Sequence, residues 1–258
     1  MADDSRIRLT VTDQIGHLLI DRPDRLNALD AAMVDELGAL CAAIDRRDDI
    51  AVVVLSGEGR GFCAGGDIEA WSAETPRQFG QGWVRDGHRV FDALARLRQP
   101  VIAVIDGHAL GGGLELAACA DYRIAESHIR IGQPETGLGI IPGWSGTQRA
   151  VRRFGAQAVR RMALFGVIYT AEEALREGLV DQIAETGEGL EAGLECARAL
   201  MRRGPEATEL TKMLINAAEG EEVERVLEAF AGRIAAGSDD LREGLAAFRE
   251  KRKPGFRR

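Results

Sequence analysis

The sequence of 258 residues has few aromatic side chains, four cysteines and no long apolar run. Without eighteen consecutive apolar residues it offers no candidate for a membrane-spanning helix. The first ten residues, MADDSRIRLT, lack the basic and then apolar pattern of a signal peptide. The cysteines are scattered and have no metal-ligand spacing, which is typical of a reducing compartment. We therefore expect a cytoplasmic protein with no membrane partner.

The sequence has fewer basic than acidic residues, 33 against 41, so the formal net charge is −8. Such a balance argues against a nucleic-acid partner. The exception is the basic tail REKRKPGFRR (249–258), which is either a solvated chain end or an anion-binding segment. The four histidines are spread along the chain without ligand spacing. We expect no metal site.

Short β-branched runs alternate with helical segments along most of the chain. Ile7–Thr12 and 17–20 predict a hairpin around residues 13–16, and Asp30 predicts the cap of an amphipathic helix. The runs 51–56, 101–105 and 122–125 are typical of strands covered on both faces. From about residue 171 the pattern is helical. We predict an α/β core over residues 1–200 and a helical region over 201–258.

A glycine-rich stretch at residues 57–61, GEGRG, suggests a nucleotide-binding loop. The spacing is GxGxG rather than GxGxxG, and no helix is expected to begin there. The stretch also lacks the lysine and hydroxyl residue that end a phosphate loop. We do not expect a nicotinamide or ATP site.

Two other glycine segments follow predicted strands and precede helical segments. They are AGGD at 64–67 and GGG at 111–113, named here the glycine loops. Backbone N–H groups at a helix start are free and attract negative charge. Two such donors meeting on one carbonyl oxygen would form an oxyanion hole. The alternative is that the glycines permit only tight turns or close packing.

Two glutamates lie in apolar surroundings near the second glycine loop in the sequence. Glu115 lies between two leucines in the first turn of the predicted helix, and Glu135 lies in the loop IGQPETGLGIIPG. Carboxylates in a partly apolar site can hold different protonation states, so that one acts as acid and the other as base. The alternative is a satisfied helix-start acid and a solvated loop acid.

These segments together resemble the crotonase, or enoyl-CoA hydratase/isomerase, superfamily. The matching segments, in the family's order, are RPDRLNALD (22–30), GRGFCAGGDI (59–68), DGHALGGGLELAACADYRIA (106–125), IGQPETGLGIIPG (131–143) and GTQR (146–149). Each segment is weakly specific alone, but five in order are highly specific. The resemblance implies a spiral of ββα turns with a C-terminal helical region that builds homotrimers, often paired into hexamers.

The resemblance also implies a reaction, the addition of water to a 2-enoyl-CoA thioester. By analogy, the N–H groups of Gly66 and Gly112 hold the thioester oxygen. Glu135 delivers a proton to the α-carbon, and Glu115 holds and activates the water, which the N–H of Gly143 helps to place. Coenzyme A is part of the substrate, and neither a metal nor a redox cofactor is implied.

Further positions are implied for coenzyme A itself. Ala64, Asp67 and Ile68 would border the pantetheine and adenine channel, with Arg25 and Ala28 near the adenine and phosphate end. A double-bond isomerase or a thioester hydrolase of the same fold is an alternative, as is a CoA-binding assembly protein without turnover.

The sequence departs from many family hydratases after IPG, where it has Trp144 and Ser145 in place of small residues. The indole is expected either to line the acyl pocket or to pack against the sheet edge. Trp71, Phe79 and Trp83 fall in the segment that varies with the acyl group in this family. They are pocket walls or ordinary helix-packing residues.

Overall fold

The computed structural model describes residues 5–256, leaving out the side chains of residues 224 and 225. The start of the predicted core (residues 1–4) and the last two residues of the basic tail (257–258) lie outside the described residues. Contacts divide the chain after Glu209 into two compact units. The division expected at residue 200 stays a prediction, as does the oligomerisation role of the C-terminal region.

The strands are β1 Ile7–Thr12, β2 Ile15–Ile20, β3 Val52–Gly57, β4 Gly61–Cys63, β5 Val101–Ile105, β6 His108–Leu110, β7 Tyr122–Glu126, β8 Arg130–Gly132, β9 Ile168–Thr170 and β10 Gln182–Ala184. The helices are α1 Ala31–Ile44, α2 Ile68–Trp71, α3 Pro76–Gln78, α4 Arg85–Ala95, α5 Gly112–Ala117, α6 Arg149–Phe154, α7 Ala156–Phe165, α8 Ala171–Arg176, α9 Gly189–Leu200, α10 Pro205–Ala218, α11 Val223–Ala236 and α12 Asp239–Arg249. Turns of 3-10 helix occur at Pro23–Arg25 and Glu135–Leu138, and Phe79–Val84 is π-helical.

The larger sheet has the strand order β1-β2-β3-β5-β7-β10. Its first pair is the predicted hairpin, closed by Asp13 and Gln14, which both have positive φ (50° and 64°). Two positive φ values match the right-handed twist of the flanking strands, which explains so tight a turn. The remaining neighbours pair in parallel. The mixed α/β class predicted from the sequence is confirmed.

Strands β3 and β5 are buried along their whole length, as the sequence predicts. Alternate side chains of β3 belong to two different apolar clusters. Val53 packs in the cluster that includes side chains of α1 and α4, and Val54 packs in the cluster that includes side chains of α9. Helix α1 begins at its predicted cap, because the Asp30 side chain accepts a hydrogen bond from the Met33 N–H at 3.0 Å. Helices on both faces therefore cover the centre of the sheet.

The smaller sheet, with the order β4-β6-β8-β9, was not predicted. Its strands have three residues each, too few for a period-two pattern to be visible. Strand β10 at Gln182–Ala184 was not predicted either, and it lies between two of the helical segments expected from about residue 171. Since β4 and β6 pair in parallel, the two glycine loops that follow them leave the sheet at the same edge.

The unit that begins at Leu210 contains α11 and α12 and carries exposed apolar side chains. Leu227, Ile234 and Phe248 are examples. After α12 the basic tail folds back, because Glu243 pairs with Arg252 and accepts the Gly255 N–H at 2.7 Å. Two residues of the tail are therefore held by one carboxylate of the preceding helix.

Candidate active site

A cleft of about 600 Å³, including space open to solvent, lies in the first unit at the edge where the glycine loops leave the smaller sheet. Most of its lining is apolar, and two carboxylates face it. The lining includes Ala64, Gly65, Gly66, Ile68, Trp71, Phe79, Trp83, Leu110, Gly111, Gly112, Glu115, Glu135, Leu138, Ile141, Gly143 and Trp144. A mostly apolar cleft with a few convergent polar groups is the usual form of a small-molecule site.

The two glycine loops meet in this cleft. A Cβ atom built on Gly65 would lie 3.0 Å from the backbone nitrogen of Gly112, so the loops are in direct contact. Gly66 and Gly112 both line the cleft, and Gly112 is the first residue of α5. The first N–H groups of a helix have no partner within the helix. The structure thus brings together the two residues for which oxyanion roles are predicted.

Glu115 lies in the first turn of α5 and is 3% exposed. Its Oε1 accepts the N–H groups of Trp144 and Gly146, each at 2.7 Å. A Cβ atom on Gly146 would lie 2.6 Å from that oxygen, so only glycine permits this approach. Burial, followed by the charge of Glu135, raises the pKa of Glu115, while the two N–H donors oppose the shift. The backbone around residue 145 is thus a cradle for one carboxylate oxygen.

Glu135 begins the 3-10 turn Glu135–Leu138 and is 8% exposed. Neither of its carboxylate oxygens has a hydrogen-bond partner from another residue within the described chain. Its Oε1 would lie 3.2 Å from a Cβ on Gly111, next to the second glycine loop. Burial raises the pKa of Glu135 to about 7. Burial raises the pKa of Glu115 further, to about 8, so the order of the two pKa values does not assign the base. The assignment rests on hydrogen bonding: two N–H donors stabilise the ionised form of Glu115, and Glu135 has none from another residue in the described part of the chain.

Trp144 is 3% exposed and connects the glycine loops to the opposite side of the cleft. Its indole lies 4.9 Å from the Trp83 ring and 5.0 Å from the Phe91 ring, centroid to centroid, and Nε1 donates to the Trp83 carbonyl. Cβ atoms on Gly66 and Gly112 would lie 3.4 and 3.0 Å from the indole. The side chain thus lines the cleft and packs against Trp83 and Phe91, and its expected role in the acyl pocket stays a prediction.

Trp71, Phe79 and Trp83 form what we call the aromatic wall of the cleft. All three are half-buried, and the Trp71 and Phe79 rings are 5.2 Å apart. Phe79 and Trp83 belong to the π-helical segment, a geometry often found at functional sites. The structure favours the pocket-wall alternative for these residues.

The coenzyme A positions implied by resemblance are divided. Ala64 and Ile68 line the cleft, as does Gly143, for which the resemblance implies a role in placing the water. Asp67 caps α2 and pairs with Arg22 at 2.8 Å, and that guanidinium also donates to the Ala28 carbonyl. Arg25 lies outside the cleft lining and pairs with Glu69 at 2.8 Å. The ligand-binding roles implied for all six residues stay predictions.

Sequence reasoning missed both donors to Glu115, the N–H groups of Trp144 and Gly146, and the groups around them. Gln133 is fully buried and donates from Nε2 to the Gly146 carbonyl at 3.1 Å. Ser145 Oγ lies 3.0 Å from His88 Nε2. The repeated glycine in GWSG was the available signal, because it marks a backbone that must approach another group closely.

Within residues 5–256, no group of three or more His, Cys, Asp or Glu side chains is arranged to hold a metal ion. None of the described helices has the length and apolar character needed to cross a membrane.

Comparisons with known proteins agree on one family. A family model described as "Enoyl-CoA hydratase/isomerase" matches residues 10–258. Crotonyl-CoA hydratase of Syntrophomonas wolfei is 35% identical, and the match covers 97% of both chains. Short-chain-enoyl-CoA hydratase of Clostridium acetobutylicum is 36% identical over 95% of both chains. The crystal structure of enoyl-CoA hydratase from Bacillus anthracis superposes with a TM-score of 0.81 at 32% identity, covering 98% of this chain and 99% of that one.

Proposed function

The chain belongs to the enoyl-CoA hydratase/isomerase family, and from this premise we propose that it is a hydro-lyase. It adds water across the 2,3 double bond of a 2-enoyl-CoA thioester. The observation that carries the proposal is the pair of buried glutamates with opposite hydrogen bonding at one cleft. Hydration needs one base for the water and one acid for the α-carbon, and this pair offers both.

In the proposed mechanism the thioester oxygen accepts the N–H groups of Gly66 and Gly112. Negative charge grows on that oxygen as the enolate forms, and one such donor is typically worth about 3–4 kcal/mol of barrier. Because both backbone donors bind Oε1 of Glu115, its Oε2 takes a proton from water while the water oxygen attacks C3. Glu135 gives its proton to C2, and the enolate electrons form the C2–H bond.

The same-fold alternatives use the site less fully. A double-bond isomerase needs one carboxylate to move a proton between carbons, so it would leave the cradle of Glu115 without a task. A thioester hydrolase would have to direct water to the carbonyl carbon, and a non-catalytic CoA-binding protein would need neither glutamate. The matched relatives are named as hydratases, which supports hydration.

The proposal is tested with the variants Glu115→Gln and Glu135→Gln. Their hydration rates are measured as the loss of the conjugated thioester absorbance of crotonyl-CoA. Each variant keeps its size but loses proton transfer, so hydration should fall at least about a hundredfold. Binding of a saturated acyl-CoA should change by no more than about threefold, because the oxyanion donors are backbone. A parent-like rate in both variants would refute the two-carboxylate mechanism. Loss only in Glu135→Gln would favour the isomerase.

We also propose that the enzyme is cytoplasmic, acts as a homotrimer or homohexamer and needs neither a metal nor a redox cofactor. Carboxylates and amides supply all the proton transfers and charge stabilisation of the mechanism. The exposed apolar side chains of α11 and α12 support association. Sedimentation velocity should give the mass of three or six chains, and a stable monomer at micromolar concentration would contradict the assembly.

A further inference from the structure

Ser145 has a backbone conformation that side chains other than glycine rarely adopt. Its φ is +82°, and the residue is 3% exposed. The N–H groups on either side of it, from Trp144 and Gly146, both donate to Oε1 of Glu115 at 2.7 Å. The unusual backbone conformation at residue 145 therefore lets the N–H groups of both neighbouring residues reach one oxygen. A non-glycine residue at this φ is strained, and such strain persists only where the surroundings impose it.

The side chain of Ser145 supplies that restraint. Its Oγ lies 3.0 Å from Nε2 of His88, which belongs to the long helix α4. The same Nε2 lies 3.6 Å from Oδ1 of Asp92, one turn further along α4. Asp92 in turn pairs with Arg149, which is 1% exposed at the start of α6. The turn is thus tied through a half-buried imidazole to an ion pair between the half-buried Asp92 and the buried Arg149.

We propose that Ser145 and His88 are positioning residues that hold the 144–146 turn in the shape that binds Glu115. This inference rests on the proposed function, in which Glu115 activates the water. When the Ser145–His88 contact is lost, the strained turn relaxes, and the two N–H groups move away from Oε1. Water activation then becomes slower, while the oxyanion donors and the aromatic wall still bind the substrate.

A serine, a histidine and an aspartate in contact also suggest a nucleophilic triad, but the geometry argues against it. In a triad the aspartate orients the histidine through one ring nitrogen while the serine uses the other. Here Ser145 and Asp92 approach the same nitrogen of His88. Ser145 is also buried and is not among the residues that line the cleft.

The test compares Ser145→Ala, Ser145→Gly and His88→Ala in crotonyl-CoA hydration. Alanine keeps the strain and removes the anchor, so kcat should fall about tenfold in Ser145→Ala and in His88→Ala. KM and the Kd of a saturated acyl-CoA should stay within about twofold. Glycine accepts the positive φ without strain, so Ser145→Gly should keep its fold and remain within about threefold of the parent. Adding His88→Ala to Ser145→Gly should then cost little more, because the two groups act through one contact.

A pH profile separates positioning from a general structural role. The two N–H donors lower the pKa of Glu115 against burial, and the charges that act on it are those of Glu135, which raises it, and Arg149, which lowers it. The nearby Cys63 thiol is a further titratable group, whose pKa is raised by burial and by the charge of Glu115. Loosening the donors should therefore move the acidic limb of kcat/KM to higher pH in Ser145→Ala and His88→Ala. His88→Gln should restore part of kcat, because its amide also bonds to a hydroxyl.

The chain offers a matched control in a second serine–histidine contact. Ser56 Oγ lies 2.8 Å from His17 Nε2, between β3 and β2. Ser56→Ala and His17→Ala should leave kcat and the pH profile unchanged. If Ser145→Ala and His88→Ala behave like these controls in an active parent, or if Ser145→Gly is as impaired as Ser145→Ala, the inference is overturned. A parent that hydrates no enoyl-CoA would instead overturn the proposed function.

Discussion

The two sides of the cleft present different chemical groups. On one side the glycine loops present backbone amides, and the carboxylate of Glu115 is fixed by two more amides from the 144–146 turn. On the other side the aromatic wall presents half-buried rings from α2 and the π-helical segment. A backbone donor survives most substitutions, whereas a ring is defined by its side chain. We therefore expect the chemistry of the site to depend on backbone amides together with the two carboxylates, and its acyl preference to depend on the aromatic side chains.

Removal of one backbone donor from the glycine loops should have the largest effect on the rate of hydration. Gly112 is the first residue of α5, a helix position that tolerates proline. Gly112→Pro removes the N–H, and Gly112→Ala keeps it. Both variants add a Cβ about 3.0 Å from the Trp144 ring, so crowding of that ring by Cβ is matched, while the proline ring also places Cδ where the N–H hydrogen was. We expect hydration by the proline variant to be slower than by the alanine variant by about a hundred- to a thousandfold, or about 3–4 kcal/mol. Equal rates in the two variants would show that this N–H is not a donor.

The buried carboxyl group of Glu135 should also lower the stability of the folded protein. Burial raises the pKa of Glu135 from 4.5 to about 7, so the folded protein retains a proton that the unfolded chain has already released. The free energy of unfolding therefore falls as the pH rises from 4.5 to about 7, and the full penalty, at most about 3 kcal/mol, applies above that range. Glu135→Gln cannot ionise, and its gain in Tm over the parent should be larger at pH 8 than at pH 5.

Thermal melts at the two pH values test this expectation. Glu185→Gln, at an exposed position, is the control and should give the same difference from the parent at both. A Glu135→Gln gain that does not depend on pH would show that the carboxyl group is not protonated by burial.

A change in the aromatic wall should alter the preference between acyl chain lengths rather than the rate of hydration. Phe79→Ala enlarges the cleft while leaving the glycine loops and both glutamates in place. We expect kcat/KM for crotonyl-CoA to stay within about threefold, and the preference for an eight-carbon over a four-carbon enoyl group to rise about tenfold. Phe165→Ala, at an exposed side chain outside the cleft lining, should change neither value. An equal loss on both substrates in Phe79→Ala would assign this ring to folding rather than to selection.

The parts of the fold with a long regular pattern could be predicted from the sequence. The Asp30 cap, the buried strand Val101–Ile105 and the hairpin follow from local signals and are confirmed. Gly66, Gly112, Glu115 and Glu135 were named from glycine and carboxylate placement together with the resemblance, and the structure places all four at one cleft.

The features that could not be predicted depend on residues far apart in sequence. The three-residue strands of the smaller sheet are stable only as members of that sheet, so no local period marks them. The bond from Gly146 to Glu115 joins residues 31 positions apart, and His88 and Ser145 are separated by 57. The positive φ of Ser145 could not be predicted from its residue type, because serine has no preference for that conformation.

The aromatic lining of the cleft has an optical consequence. The chain has three tryptophans, and Trp71, Trp83 and Trp144 all line the cleft. Intrinsic fluorescence excited at the red edge of the indole band therefore originates entirely from chromophores at the substrate site. Trp83 and Trp144, with ring centroids 4.9 Å apart, are close enough for their transition dipoles to couple and to give a paired near-ultraviolet dichroism signal. An acyl group that separates or reorients the two indoles would change both signals without any added label.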